Sequence, residues 1–267
     1  MTNSLDIYLG VMIIGSSFLG LYYGIKLKNS YIKKLSLVAT VCGLIVIAIY
    51  EIPSKDRPSL MATEYNRAGL IKASDGDLNG AISDFTNALK LDPKFAPAYE
   101  NRGQVKYKIS DAEGAIADFN QAISINPKLA IAYSDRGAAK KDLRDMVGAI
   151  ADCTHAIELD PTLAPAYENR GETLFHTGNL NGAIEDFSRA VELIPSFAMA
   201  FNNRGFAKSK MGELDAAILD YTRAIEIDPK MAQAYVNRSV AEANKGDQVA
   251  ADADSALALR INPSLKK

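Results

Sequence analysis

Apolar and small residues recur along most of this chain at helical spacing, and the pattern restarts every 34 residues. Ala115, Ile116, Phe119, Ala122 and Ile123 form one helical stripe. Tyr99, Gly103 and Lys106 form another ahead of it, with a break at Ser110-Asp111 between the two. Other copies break at Asp75-Gly76-Asp77, Thr177-Gly178-Asn179, Met211-Gly212-Glu213 and Lys245-Gly246-Asp247. Each unit therefore predicts two helices of about 12–14 residues joined by a tight turn. The turn glycine supplies a left-handed backbone, and the Asp or Asn after it caps the second helix. Pro93, Pro127, Pro161, Pro195, Pro229 and Pro263 end the second helices, because proline cannot continue one and holds its predecessor extended. A period of this length marks an array of repeats and not a single globular core.

Other residue types keep the same beat. Gly69, Gly103, Gly137, Gly171 and Gly205 fall mid-helix, where glycine costs roughly 1 kcal/mol against alanine, so a crossing helix is expected close by. Ala81, Ala115, Ala149, Ala183, Ala217 and Ala251 are the small residues of the second helix. Phe85, Phe119, Phe187 and Tyr221 fill the space one turn on, and Cys153 and Ser255 stand in for the ring in repeats three and six, whose cores are expected to be looser. The first helix carries the phrase Ala98-Tyr99-Glu100-Asn101-Arg102-Gly103 and its copies. These residues resemble the tetratricopeptide repeat family over residues 62–265, with Tyr or Phe where the family usually has tryptophan. The resemblance implies an all-α fold, a right-handed α-solenoid of helix-turn-helix repeats at 62–95, 96–129, 130–163, 164–197, 198–231 and 232–265. It also implies a protein or peptide bound in a concave groove lined by the first helices.

Two polar columns accompany the phrase. Arg102, Arg136, Arg170, Arg204 and Arg238 run in phase with Asp84, Asp118, Asp152, Asp186, Asp220 and Asp254. They read as structural ion pairs between helices, since a guanidinium can hold a carboxylate with two bonds. A pair within the repeat would orphan Asp84, and a pair across repeats would orphan Asp254. Asn101, Asp135, Asn169, Asn203 and Asn237 form the second column. By the resemblance they face the groove, where an amide can match a peptide bond whatever its side chain. The alternative is that they are solvated or bonded locally. Tyr107, Phe175, His176, Phe206 and Lys210 are further groove candidates. Family members that clamp a terminal carboxylate use Lys and Asn on successive first helices, and Asn66 to Leu70 lacks the lysine.

The first 52 residues are of another kind. Ile7 to Ile25 and Leu35 to Tyr50 are uncharged, and with Glu51 and Ile52 the second run reaches about 27 Å as a helix. They predict two transmembrane helices, 7–25 and 35–52, as a two-helix anchor, with 53–61 as a linker stiffened by Pro53 and Pro58. The segment before the first run has no Lys or Arg, unlike a signal peptide. Lys26, Lys28, Lys33 and Lys34 lie between the runs, so the positive-inside rule puts that loop in the cytoplasm. Both termini and the repeats then face the other side, the periplasm if the cell is bacterial.

Charge adds an exclusion. Residues 1–61 carry net +3 and the remainder net −5, which disfavours nucleic acid as the ligand. Cys42 and Cys153 read as buried hydrophobes, and His155 and His176 have no spacing that fits zinc or a triad. No catalytic set, metal site or cofactor motif is expected. The function expected is a membrane-anchored scaffold that binds a membrane-proximal protein or peptide and helps assemble an envelope complex. The alternatives are a self-associating structural protein and, third, a regulatory subunit of an enzyme. For the last repeat, Asp247, Asp252, Asp254 and Ser255 are expected to form a polar terminal face.

Overall fold

The computed structural model describes residues 57–265, and both expected membrane spans lie outside them. Among the described residues there are twelve α-helices and no strand. They are α1 (Arg57–Ser74), α2 (Leu78–Leu91), α3 (Ala96–Lys108), α4 (Ala112–Ile125), α5 (Ala130–Asp142) and α6 (Met146–Leu159). Then follow α7 (Ala164–His176), α8 (Leu180–Leu193), α9 (Ala198–Lys210), α10 (Leu214–Ile227), α11 (Ala232–Lys245) and α12 (Gln248–Ile261), with a 3₁₀ turn at Pro263–Leu265. No helix among the described residues is long and apolar enough to cross a membrane. One boundary is corrected: Arg57 to Met61, read as linker, are the start of α1. Pro58 falls in the first turn, where no intrahelical N–H bond is lost and proline is tolerated.

The local signals act as expected at most ends. Asp77, Asp111, Asp145 and Asn179 each accept a bond from the backbone N–H of the glycine three residues on, and Asp247 from that of Ala250. Glu213, one carbon longer, makes no such cap. The residues preceding the prolines are extended, as Asp92 shows with φ −133° and ψ 93°. Gly76, Gly178, Gly212 and Gly246 hold φ between +84° and +90°, while Ser110 and Arg144 occupy the same left-handed position at +66° and +67°. A side chain there is strained, so Ser110→Gly and Arg144→Gly are each expected to stabilise the array by about 0.5–1 kcal/mol. Thermal melts of the two single variants would show it.

From Tyr65 onward the helices form one compact unit. From α2 on, each helix packs on the next, and the first helices α3, α5, α7, α9 and α11 also touch one another in succession. Among the described residues the second helices make no comparable contact, so the first helices form one continuous wall and the second helices a layer behind it. Between the layers Ala81, Phe85, Ala115, Phe119, Ala149 and Ala183 are fully buried. The mid-helix glycines sit under the rings: a Cβ on Gly103 would lie 2.7 Å from Cε1 of Phe119, and one on Gly205 2.9 Å from Cε1 of Tyr221.

Repeats three and six solve this differently. Cys153 is fully buried and its Sγ would meet a Cβ on Gly137 at 2.6 Å. Burial pushes the thiol up to about 12, which makes it the inert hydrophobe expected. In repeat six Ser239 replaces the glycine, and its Oγ bonds that of Ser255 at 3.2 Å. A side chain on the first helix thus coincides with loss of the ring on the second.

Candidate peptide-binding wall

The arginine column is set by the pitch of the hairpin. Arg102 donates Nε and Nη2 to the carboxylate of Asp118, sixteen residues on in the same repeat. Arg136–Asp152, Arg170–Asp186, Arg204–Asp220 and Arg238–Asp254 repeat this, all at 2.6–2.9 Å. Each guanidinium also lies 5.3–5.9 Å from the centre of the ring three residues before it. Its Nη1 turns the other way and donates to the preceding repeat, to Thr86, Asn120, Thr154, Ser188 and Thr222 in order. The pairs therefore stay inside the repeat, while the arginine ties that repeat to its neighbour. Asp84 is not an orphan: Lys72 reaches it at 2.7 Å.

Lysines in the Lys72 register reinforce the column. Lys106, Lys140 and Lys208 add a second cation to Asp118, Asp152 and Asp220 at 2.7–2.8 Å. Repeat four has Leu174 there, and repeat six has Glu242. Oε2 of Glu242 is the one buried side-chain polar atom among the described residues without a hydrogen-bond partner. Asp254, read as part of a polar end face, is instead buried and held by Arg238. Burial, then the nearby Asp254, raises the Glu242 pKa above its ordinary value. The folded chain then holds that proton more tightly than the unfolded one. The stability Glu242 contributes is complete below the unfolded carboxyl value and is lost as pH rises through the folded one. Glu242→Lys should remove that slope and, by relieving an unpaired buried oxygen, add about 1–3 kcal/mol near neutral pH. Melts of both forms at pH 5 and pH 8 check it.

The asparagine column runs along the first-helix wall, bonded sideways from repeat to repeat. Nδ2 of Asn101 donates to Oδ1 of Asn66, Nδ2 of Asn169 to Oγ of Ser134, Nδ2 of Asn203 to Glu168 and Nδ2 of Asn237 to Asn202. Asp135, the acidic member, accepts from Gln104 at 2.8 Å. The local bonding weighed as an alternative is therefore present, and it spends one amide hydrogen of Asn101, Asn203 and Asn237. Nδ2 of Asn169 reaches both Oγ and the carbonyl oxygen of Ser134, at 3.1 and 3.4 Å. Oδ1 of Asn203 and of Asn237 already accept from Asn202 and Gln233.

At the C-terminal end this wall opens into a cavity of about 280 Å³ where α7, α9 and α11 meet. Phe175 and Phe206 form its apolar side with ring centres 5.2 Å apart, and Asn202, Asn203, Gln233 and Asn237 the polar side. Phe187 of α8, Glu172 and His176 complete it. Two of the five column residues thus line a cavity, together with three of the aromatic candidates. Lys210 lies over the Phe206 ring at 5.2 Å, and Tyr107 spends its hydroxyl on Asp142 at 2.7 Å. His155, on the second helix α6, packs edge-on against Tyr133, half-buried and outside the cavity. Among the described residues no group of acidic, Cys or His side chains is arranged to hold a metal ion.

Comparisons with known proteins agree with this architecture. Models described as tetratricopeptide repeat match residues 96–129, 153–185 and 198–231, and one described as TPR repeat matches 69–110 and 171–212. Together these cover slightly more than half of the chain. The crystal structure of the MamA protein is similar at 27% identity, covering 65% of this chain and 94% of that one, with TM-score 0.52. YrrB, a TPR protein with an unusual peptide-binding site, is 24% identical over 67% of this chain and 92% of its own, with TM-score 0.52. PilW, a type IV pilus biogenesis factor, is 22% identical over 75% of this chain and 93% of its own, with TM-score 0.68. The last two likenesses speak to the fold alone. No curated protein matches the sequence.

Proposed function

Because the chain belongs to the tetratricopeptide-repeat family, we propose that it is a membrane-tethered scaffold whose first-helix wall receives an extended segment of another protein. The observation that carries this reading is the cavity at α7, α9 and α11, lined by four amide side chains and three phenyl rings. Amides offer a donor and an acceptor together, which suits a peptide backbone, and the rings suit an apolar side chain along it. The tether rests on the two uncharged runs at 7–25 and 35–52, and the non-cytoplasmic, periplasm-type location on the four lysines between them. Its role is to bring proteins together at the envelope, and no chemical step is assigned to it.

Replacing Asn203 and Asn237 with alanine removes two backbone-matching amides. At about 0.5–1.5 kcal/mol per bond, binding should weaken roughly 5- to 150-fold. Crosslinking in membranes, comparing the wild type with the double variant, reads this out, with a melting curve to show that the helices survive. Unchanged partners on the double variant would sink the reading. A reporter active only in the cytoplasm, fused after Lys267, should stay silent.

A further inference from the structure

The wall is not chemically uniform along its length. Its C-terminal part is aromatic and amide-lined, as the cavity shows. Its N-terminal part carries Glu100, Asp135 and Glu168. Glu100, Ser134, Glu168 and Asn202 stand at one register position, and Asn202 lines the cavity, so the two glutamates belong to the same wall.

These three carboxylates are bonded only by neutral amides. Nε2 of Gln104 donates to Glu100 at 3.2 Å and to Asp135 at 2.8 Å, and Nδ2 of Asn203 donates to Glu168 at 2.9 Å. None of them forms a salt bridge to Lys or Arg among the described residues. The contrast with the second-helix aspartates matters, because Asp118, Asp152 and Asp220 are each neutralised by both an Arg and a Lys within 3 Å. Burial, the largest cause in each case, pushes Glu100 and Glu168 up to about 7 and Asp135 up to about 6. The cations nearby are already engaged: Lys141 holds Glu172, and Lys210 lies over the Phe206 ring. The wall is thus short of positive charge in repeats two to four, and a cation arriving from outside would supply it.

We propose that the segment received by this wall is basic at one end and apolar at the other. Its Lys or Arg side chains lie against Glu100, Asp135 and Glu168, and one aromatic or branched apolar side chain fills the Phe175–Phe206 cavity. This rests on the peptide-binding reading above and gives it a direction along the chain. A guanidinium or ammonium can share these carboxylates with the amides that now hold them, because each carboxylate has acceptor sites to spare. An acidic segment would meet like charge in a half-buried setting, where screening is weak.

Random dodecapeptides displayed on phage and selected on the full-length chain test this, because such a library favours no particular partner. The selected peptides should be enriched at least threefold in Lys and Arg, with an aromatic or branched apolar residue set to one side. A selected peptide resynthesised with Glu in place of its Lys should bind at least 30-fold more weakly. The Glu100→Gln/Glu168→Gln variant should lose affinity for the basic peptide 5- to 20-fold, and Phe206→Ala should erase the preference for the apolar residue. Peptides selected without any basic preference, or a basic peptide indifferent to the Glu→Gln variant, would overturn the inference. If those peptides still depended on Asn203 and Asn237, the groove reading would stand alone. Failure to select any peptide would remove both.

Discussion

Replacing Asp220 with alanine is expected to cost the array about 3–5 kcal/mol, because it leaves two half-buried cations without their shared carboxylate. Asp220 is buried and receives Nε and Nη2 of Arg204 at 2.9 and 2.6 Å and Nζ of Lys208 at 2.8 Å. Removing Lys208 alone should cost far less. Repeat four already lives with Leu174 in that register and keeps its Arg170–Asp186 pair. Urea unfolding of Asp220→Ala and Lys208→Leu should therefore separate the two midpoints widely. Equal losses would mean that the lysine, not the bidentate arginine, holds the aspartate in place.

The second large effect lies in the core of repeat two. Phe119 is fully buried, and Phe119→Ala should destabilise by about 3–5 kcal/mol through lost burial and the cavity left behind. The neighbouring glycine makes a sharper test. In the wild type, Gly103→Ala drives a methyl against the Phe119 ring and should cost about 1–3 kcal/mol. Without that ring the same change should reverse sign and help by up to about 1 kcal/mol, since alanine is the better helix former. A double-mutant cycle measures the coupling, and additive effects would show that the close approach of ring and backbone is not what keeps glycine there.

Much of this was legible in the sequence because the chain repeats itself. Periodicity placed both helices of each hairpin, the proline stops and the capping acids, since those signals depend on neighbours a few residues away. The partner of each arginine was not legible. Asp118 follows Arg102 by sixteen residues and Asp84 precedes it by eighteen, so either lies one helix away, and only the packing of the hairpin chooses. The signal that would have helped was present: Thr86, Asn120, Thr154, Ser188 and Thr222 also recur in phase, as do the lysines that neutralise Asp84 and its counterparts. Glu242 becomes conspicuous only against those lysines. The start of α1 was missed because Pro58 suggested a linker, whereas a proline in a first helical turn breaks nothing. The sideways bonds of the asparagines were not legible either, because they depend on residues 35 positions earlier.

The double reach of each arginine bears on how such a chain can grow. Each of copies two to six exports one donor backwards, to a Thr, Ser or Asn of the copy before, and keeps its other two for its own aspartate. A tandem duplication of any of copies two to five therefore arrives with its junction already matched, because the donor it brings meets the acceptor its predecessor carries. Inserting or deleting any one of copies two to five leaves no arginine without its two destinations, whereas a slip of even a few residues leaves several unmet at once. The gene could lengthen or shorten this protein by whole inner copies with little repair.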